Sequence, residues 1–233
     1  MLNLGGFKIW ESSEERLLGI NIDNELRFNS HALTICKEAN KKLSALGRIS
    51  NLIPFKQRRV LFKAFFESRF EYCPLVWMFY DRSVHHKINH LHERALRIVY
   101  KDDKSSFEEL LKRDKSVTIH EKTIQKVALE MFKCKLKESN GIMNEVFKDR
   151  EFTGPKIRGQ LDFYNPKINT VSYGENSLRY LGPMIWNIVP KELKVLSTIK
   201  AFKNAIKTWS PKKCPCKLCK PYIQGLGYVS LAD

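Results

Sequence analysis

Apolar residues recur at spacings of three and four along most of this chain, which predicts a mainly α protein. The first such run is Ala32, Ile35, Cys36, Ala39, Leu43 and Leu46, behind Asn29 or Ser30 as a cap. Pro54 introduces an aromatic-rich helix with Leu61, Phe62, Phe65 and Phe66 on a broad apolar surface, and Pro74 must kink or end it. A third helix has Ile88, Leu91, Ala95 and Ile98 as its core stripe. Two capping boxes, Ser105 with Glu108 and Thr118 with Glu121, mark further starts; the second helix packs through Ile124, Val127, Ala128 and Met131 and stops at Asn140-Gly141. Helices are expected again over 177–188 and 198–209, closed by Pro190 and Pro211. Alternation appears only near the start, where Leu18, Ile20 and Ile22 interleave with Gly19 and Asn21 before turn chemistry at Asp23-Asn24. Weak periodicity with Gly154, Pro155, Gly159, Asn165 and Pro166 predicts a long loop with one or two short strands over 152–173. The expected architecture is therefore a mainly α helical bundle with a small N-terminal β element and a basic, Cys-containing C-terminal tail. Its parts are a β element at 1–28, a helical domain at 29–150, a loop-rich connector with one helix at 151–193, and the tail at 194–233.

Charge adds a partner to this picture. The 41 Lys and Arg against 25 Asp and Glu give a net charge of +16, the footprint of a nucleic-acid binder or of a protein on an anionic membrane. No apolar run approaches the roughly 18 to 20 residues that span a bilayer, and the first ten residues lack a secretory layout, so nucleic acid is expected and membrane is not. Residues 193–232 hold eight lysines and no Asp or Glu. Within them Ile199, Phe202, Ile206 and Trp209 form an apolar edge, Lys200, Lys203 and Lys207 line the next face, and Lys212, Lys213, Lys217 and Lys220 extend the charge. A second row, Lys87, His90, Arg94, Arg97 and Lys101, follows the third helix. If about six such cations meet phosphates, log affinity should fall against log salt with a slope of roughly −4 to −5. The competing readings are a merely solvated tail and a helical adaptor whose tail folds on a protein partner.

Cys36, Cys73 and Cys134 sit within amphipathic patterns and read as reduced, buried thiols, which points inside the cell, to nucleus or cytoplasm. Cys214, Cys216 and Cys219 are different. The Cys-x2-Cys separation lets two thiolates grip one tetrahedral zinc ion, with Cys214 as third ligand. A structural site wants four ligands, and no histidine lies downstream of His120. The fourth must come from a distant part of the fold, from a partner, or from nowhere; in the last case these are three free thiols.

No catalytic arrangement is expected. Tyr100-Lys101-Asp102-Asp103 imitates a polymerase signature, but paired carboxylates that hold two Mg²⁺ ions need a tight turn between apolar strands, and these lie between two helices. His86 and His90 share a helical face, yet Lys87 stands where a zinc hydrolase keeps its general base. Gly225-x-Gly227 lacks a third glycine. Trp77, Trp186 and Trp209 lie at core spacings.

Several stretches together resemble the C-terminal part of the reverse transcriptase polyprotein of jockey-like non-LTR (LINE-type) retrotransposons. They are Leu18-Gly19-Ile20-Asn21-Ile22-Asp23 with Leu26, Phe28 and His31; Ser68-Arg69-Phe70-Glu71-Tyr72-Cys73-Pro74-Leu75-Val76-Trp77; and His92-Glu93-Arg94-Ala95-Leu96-Arg97-Ile98-Val99-Tyr100. Ser106-Phe107-Glu108-Glu109-Leu110-Leu111, Tyr173-Gly174, Ser177-Leu178-Arg179, Gly182-Pro183, Trp186 and Pro190 follow, and Phe202-Lys203, Ile206-Lys207, Trp209 and Cys214-Pro215-Cys216 close the series. The resemblance implies that 1–28 is similar to the closing strands of the polymerase palm and 29–150 to the thumb. It implies a grip on template RNA and the growing duplex by a piece that lacks the palm aspartates and the endonuclease, so polymerase activity carries over to no residue here. The tail departs from the Cys-Cys-His-Cys knuckles of such polyproteins, having no histidine of its own.

Overall fold

A computed structural model describes residues 2–78, 80–147, 162–170, 173–211, 214–216, 218–219, 222–223 and 227–228. Packing gathers the chain into two compact units, Met1–Asp103 and Lys104–Asp233. The division falls inside the single helical region, 29–150, expected from the sequence. Both units are mainly α, and among the described residues no helix is long and apolar enough to cross a membrane.

The first unit opens with two antiparallel hairpins. β1 (Leu2–Leu4) pairs with β2 (Phe7–Ile9) across Gly5-Gly6, both at positive φ. β3 (Glu14–Leu17) pairs with β4 (Ile20–Asp23) across Leu18-Gly19, with φ of 49° and 85°. Both are two-residue turns of the kind whose twist suits a hairpin. The alternation of the sequence therefore hid a turn at Leu18, whose left-handed backbone is held by the Tyr72 hydroxyl donating to its carbonyl at 2.6 Å. After β4 the Asp23 carboxylate accepts from the backbone N–H groups of Glu25, Arg27 and Phe28. Its slight burial opposes ionisation, but these backbone donors win and lower its pKa.

α1 (Asn29–Ile49) starts without a side-chain cap. The expected cap Asn29 instead exchanges hydrogen bonds with Asp81, the N-cap of α5 (Arg82–Tyr100). The two long helices run parallel: Asn40 meets Arg94 farther along, and Gly47 lies against Ile98. Between them in sequence, α2 (Phe55–Phe62) widens into a π turn (Lys63–Glu67) and resumes as α3 (Ser68–Glu71). Phe62, Phe66 and Phe70 are all buried, and the rings of Phe62 and Phe66 stack on His92, which is fully buried. This stack turns α5 away from the expected stripe. Val84, Ile88, His92, Ala95, Leu96 and Val99 are buried, while Leu91 and Ile98 are half-buried. Pro74 opens α4 (Pro74–Trp77), leaving Cys73 exposed rather than buried. Arg58 is buried and donates to the carbonyls of Ser50, Ile53 and Val99, so one guanidinium serves the C-terminal ends of α1 and α5.

In the second unit α6 (Phe107–Asp114) is capped by Ser106 with Glu109, one residue later than expected. α7 (Ile119–Lys135) carries the expected Thr118 and Glu121 box. Asn140 does not stop it; Lys137 has already turned at φ 59°, and Asn140 caps the short α8 (Gly141–Val146). α9 (Leu178–Ile188), α10 (Lys191–Lys194) and α11 (Ile199–Ala205) follow, and a 3-10 turn (Ile206–Thr208) ends the last. The core forms where the α7 ring of Phe132 stacks on Phe202 of α11 at 4.2 Å, with Trp186 of α9 beside both. Gly182 lets α9 approach closely, because a Cβ there would lie 2.3 Å from Phe147 Cε1. A short pair, β5 (Tyr222–Ile223) and β6 (Gly227–Tyr228), is antiparallel. Much of the loop expected at 152–173 lies outside the described residues.

Candidate metal centre

The start of α7 is rigid for a local reason. The Thr118 hydroxyl accepts from the Glu121 N–H at 3.2 Å, and the Glu121 carboxylate accepts from the Thr118 N–H at 2.8 Å. The reciprocal cap fixes the first turn and with it His120, which is buried. The segment after α11 is led to this turn along α7. The Gln125 side-chain amide donates to the carbonyls of Lys207 (3.2 Å) and Trp209 (2.7 Å), and the Ser210 hydroxyl bonds the Glu121 carboxylate. The cysteines come next. Cys214 and Cys216 are buried and Cys219 is exposed, and the Cys219 N–H donates to the Cys216 carbonyl at 3.2 Å to close the Cys-x2-Cys turn.

His120 Nε2 stands 3.8 Å from the Sγ of Cys214 and 3.3 Å from the Sγ of both Cys216 and Cys219. The four donor atoms all lie within 4.8 Å of one another, close enough to bind one metal ion. Their protonation reflects the crowding. Burial opposes a charged imidazole, but hydrogen bonds and charge from Cys216 and Cys219 outweigh it and raise the His120 pKa to about 10. Hydrogen bonds from Cys214 and Cys219 hold the Cys216 thiol well below its usual range against the effect of burial. Cys214 is pushed up, first by hydrogen bonding with Cys216 and Cys219 and then by burial. The lowered Cys216 thiol lies beside His120 at the positive end of a helix, where negative charge is favoured.

The sequence singles out three of these four donors and not the fourth. His120 precedes Cys214 by 94 positions, and no spacing rule links them. The usable signal was the capping box at Thr118, which puts His120 on a defined first turn.

The cationic rows are less uniform than expected. Lys87, Arg94 and Lys101 are exposed, but Arg94 Nη1 donates to Asn40 Oδ1 and Arg97 forms an ion pair with Glu93 at 2.6 Å. Lys101 occupies the left-handed C-cap of α5 at φ 52°, and this turn continues into Asp102 and Asp103 as a link after a helix. Lys200, Lys203 and Lys207 are exposed opposite the buried Phe202 and Ile206, with Ile199 and Trp209 half-buried at the margins. Lys207 also donates to Asn204 at 3.1 Å. Lys212, Lys213, Lys217 and Lys220 lie outside the described residues. Comparison with known protein families, curated proteins and solved structures finds no match for this chain.

Proposed function

We infer that this chain is a nucleic-acid-binding module without catalysis of its own, and that a structural zinc ion held by His120, Cys214, Cys216 and Cys219 fixes its basic C-terminal segment. The four-donor cluster carries the reading. A tetrahedral zinc ion, with bonds of about 2.3 Å to sulfur and about 2.0 Å to nitrogen, sets its donors roughly 3.5 to 3.8 Å apart. The His120 distances of 3.3 to 3.8 Å fall close to that spacing. Three thiolates and one imidazole fill all four positions, the closed pattern of a structural site, and soft sulfur donors favour zinc over magnesium or calcium.

Nucleic acid as the partner is supported by the net charge of +16 and by the three exposed lysines, which a helix with a buried opposite face presents together. Likeness to the thumb and post-thumb region of a retrotransposon reverse transcriptase adds RNA or an RNA/DNA duplex as the form of ligand. The α5 row contributes less, because Arg97 is already paired. The test is a fluorescence anisotropy titration of single-stranded RNA across a range of salt. Lys200→Glu, Lys203→Glu and Lys207→Glu together should reduce the log–log salt slope by about 2, at roughly 0.7 for each phosphate no longer neutralised, while zinc content stays the same. Salt-independent binding, or a triple variant that binds RNA as the parent does, rejects the proposal.

A further inference from the structure

We propose that the cleft walled by the β3–β4 hairpin, α1 and the end of α3 binds a phosphate-bearing small molecule of nucleotide size. It lies within the first unit and does not depend on the metal centre or on the nucleic-acid reading. Its volume is about 470 Å³, inside the roughly 300–1,000 Å³ range of small-ligand sites. Arg16 and Asn21 are register partners across the hairpin and so share a face. His31 and Glu38 line a second wall two turns apart on α1, and Arg69 and Tyr72 supply the third.

Three residues of the lining, Arg16, Arg69 and His31, carry side-chain donors without acceptors among the described residues. Among the described residues neither Arg16 nor Arg69 makes a side-chain hydrogen bond or an ion pair. His31 is 5% exposed, and its Nδ1 accepts from the Asn21 N–H at 3.2 Å. The ring proton therefore sits on Nε2, a buried atom with no hydrogen-bond partner. Glu38, the carboxylate in the lining, is drawn to Lys41 at 3.4 Å. Two guanidinium forks match the oxygens of a phosphate, and bidentate arginine recognition is specific to such planar sets of acceptors, while the His31 imidazole, whose Nε2 is buried, lines the wall. The Tyr72 hydroxyl is committed to Leu18, which fixes its ring at the wall, half-exposed, as a platform for a flat base.

The test uses the full chain and follows the His31 imidazole by ¹H–¹⁵N correlation while inorganic phosphate, adenosine, adenosine 5′-monophosphate or an unphosphorylated single-stranded oligonucleotide is added. The monophosphate should shift His31 Nε2 and bind more tightly than adenosine or phosphate alone. Arg16→Gln and Arg69→Gln, each with unchanged thermal melting, should weaken it by about tenfold, the loss of one charge-assisted pair. Lys200→Gln should leave it unaltered. A monophosphate that binds no better than adenosine, or an unshifted His31, overturns the assignment. A response to the oligonucleotide without one to the monophosphate also overturns it and gives the cleft to a polymer. Loss of RNA binding in the lysine variants with monophosphate binding intact bears only on the function proposed above.

Discussion

Replacing His120 with alanine removes one donor from the cluster and should leave zinc on three thiolates and a water. The magnitude follows from the geometry. Structural zinc in small domains binds with about 10–16 kcal/mol near neutral pH, so an even share over four donors is about 2.5–4 kcal/mol for the imidazole. Water recovers part of this, and the expected loss is about a hundredfold in zinc affinity. The assay is competition for zinc against a chromophoric chelator, with His90→Ala, at an exposed position on α5, as the control. Cobalt substitution supplies a second readout, since the ligand-field bands of a tetrahedral S₃N site should change on loss of the nitrogen. Zinc affinity within about threefold of the parent would refute the reasoning, because a decade corresponds to only about 1.4 kcal/mol and a true ligand must contribute more than that.

Gly182→Ala should destabilise the second unit although alanine is the better helix former. Its propensity gain of about 1 kcal/mol is outweighed by overpacking of about 1–3 kcal/mol, because the added Cβ would sit 2.3 Å from Phe147 and 2.9 Å from Met131. Calorimetry should show a Tm lower by a few degrees, and a rise would sink the prediction. Arg58→Met keeps the buried stem but leaves the carbonyls of Ser50, Ile53 and Val99 without their donor. Urea unfolding should show a loss of about 2–4 kcal/mol, with little recovery in Arg58→Lys, whose ammonium cannot span three acceptors; full recovery would contradict this account. The His31 pKa is lowered by burial and by Arg16. The unfolded chain therefore takes up the proton first, so this stabilisation is complete above the ordinary value of 6.5 and declines as pH falls from there towards the lowered folded value. Urea midpoints between about pH 7.5 and about pH 5.5 should fall more in the parent than in His31→Gln, and equal slopes would dismiss the effect.

The helices were legible because long apolar periods leave few alternatives. The Thr118 cap, the start after Ser177 and the end near Pro211 follow from side chains acting on their own neighbours. What escaped depends on partners distant in sequence. The rotation of α5 comes from the Phe62 and Phe66 rings on His92, and the π turn that places those rings has no periodic signature. Leu18 reads as a strand residue, and only the Tyr72 hydroxyl shows why it turns. The cysteine spacing marked a candidate metal site, but the fourth donor of the cluster is brought to it through the run of hydrogen bonds from Gln125 to Ser210, which no local pattern encodes.

A loaded cluster would join His120 to Cys214, 94 positions apart, and close the chain between them into a ring fastened by coordination bonds. In the chain-entropy view, fastening a ring of that size restricts the unfolded ensemble by about 4–5 kcal/mol, comparable to a long-range disulfide. A single cut anywhere inside the ring would leave both fragments attached to one ion. They would then travel as one species on a sizing column until a chelator released them.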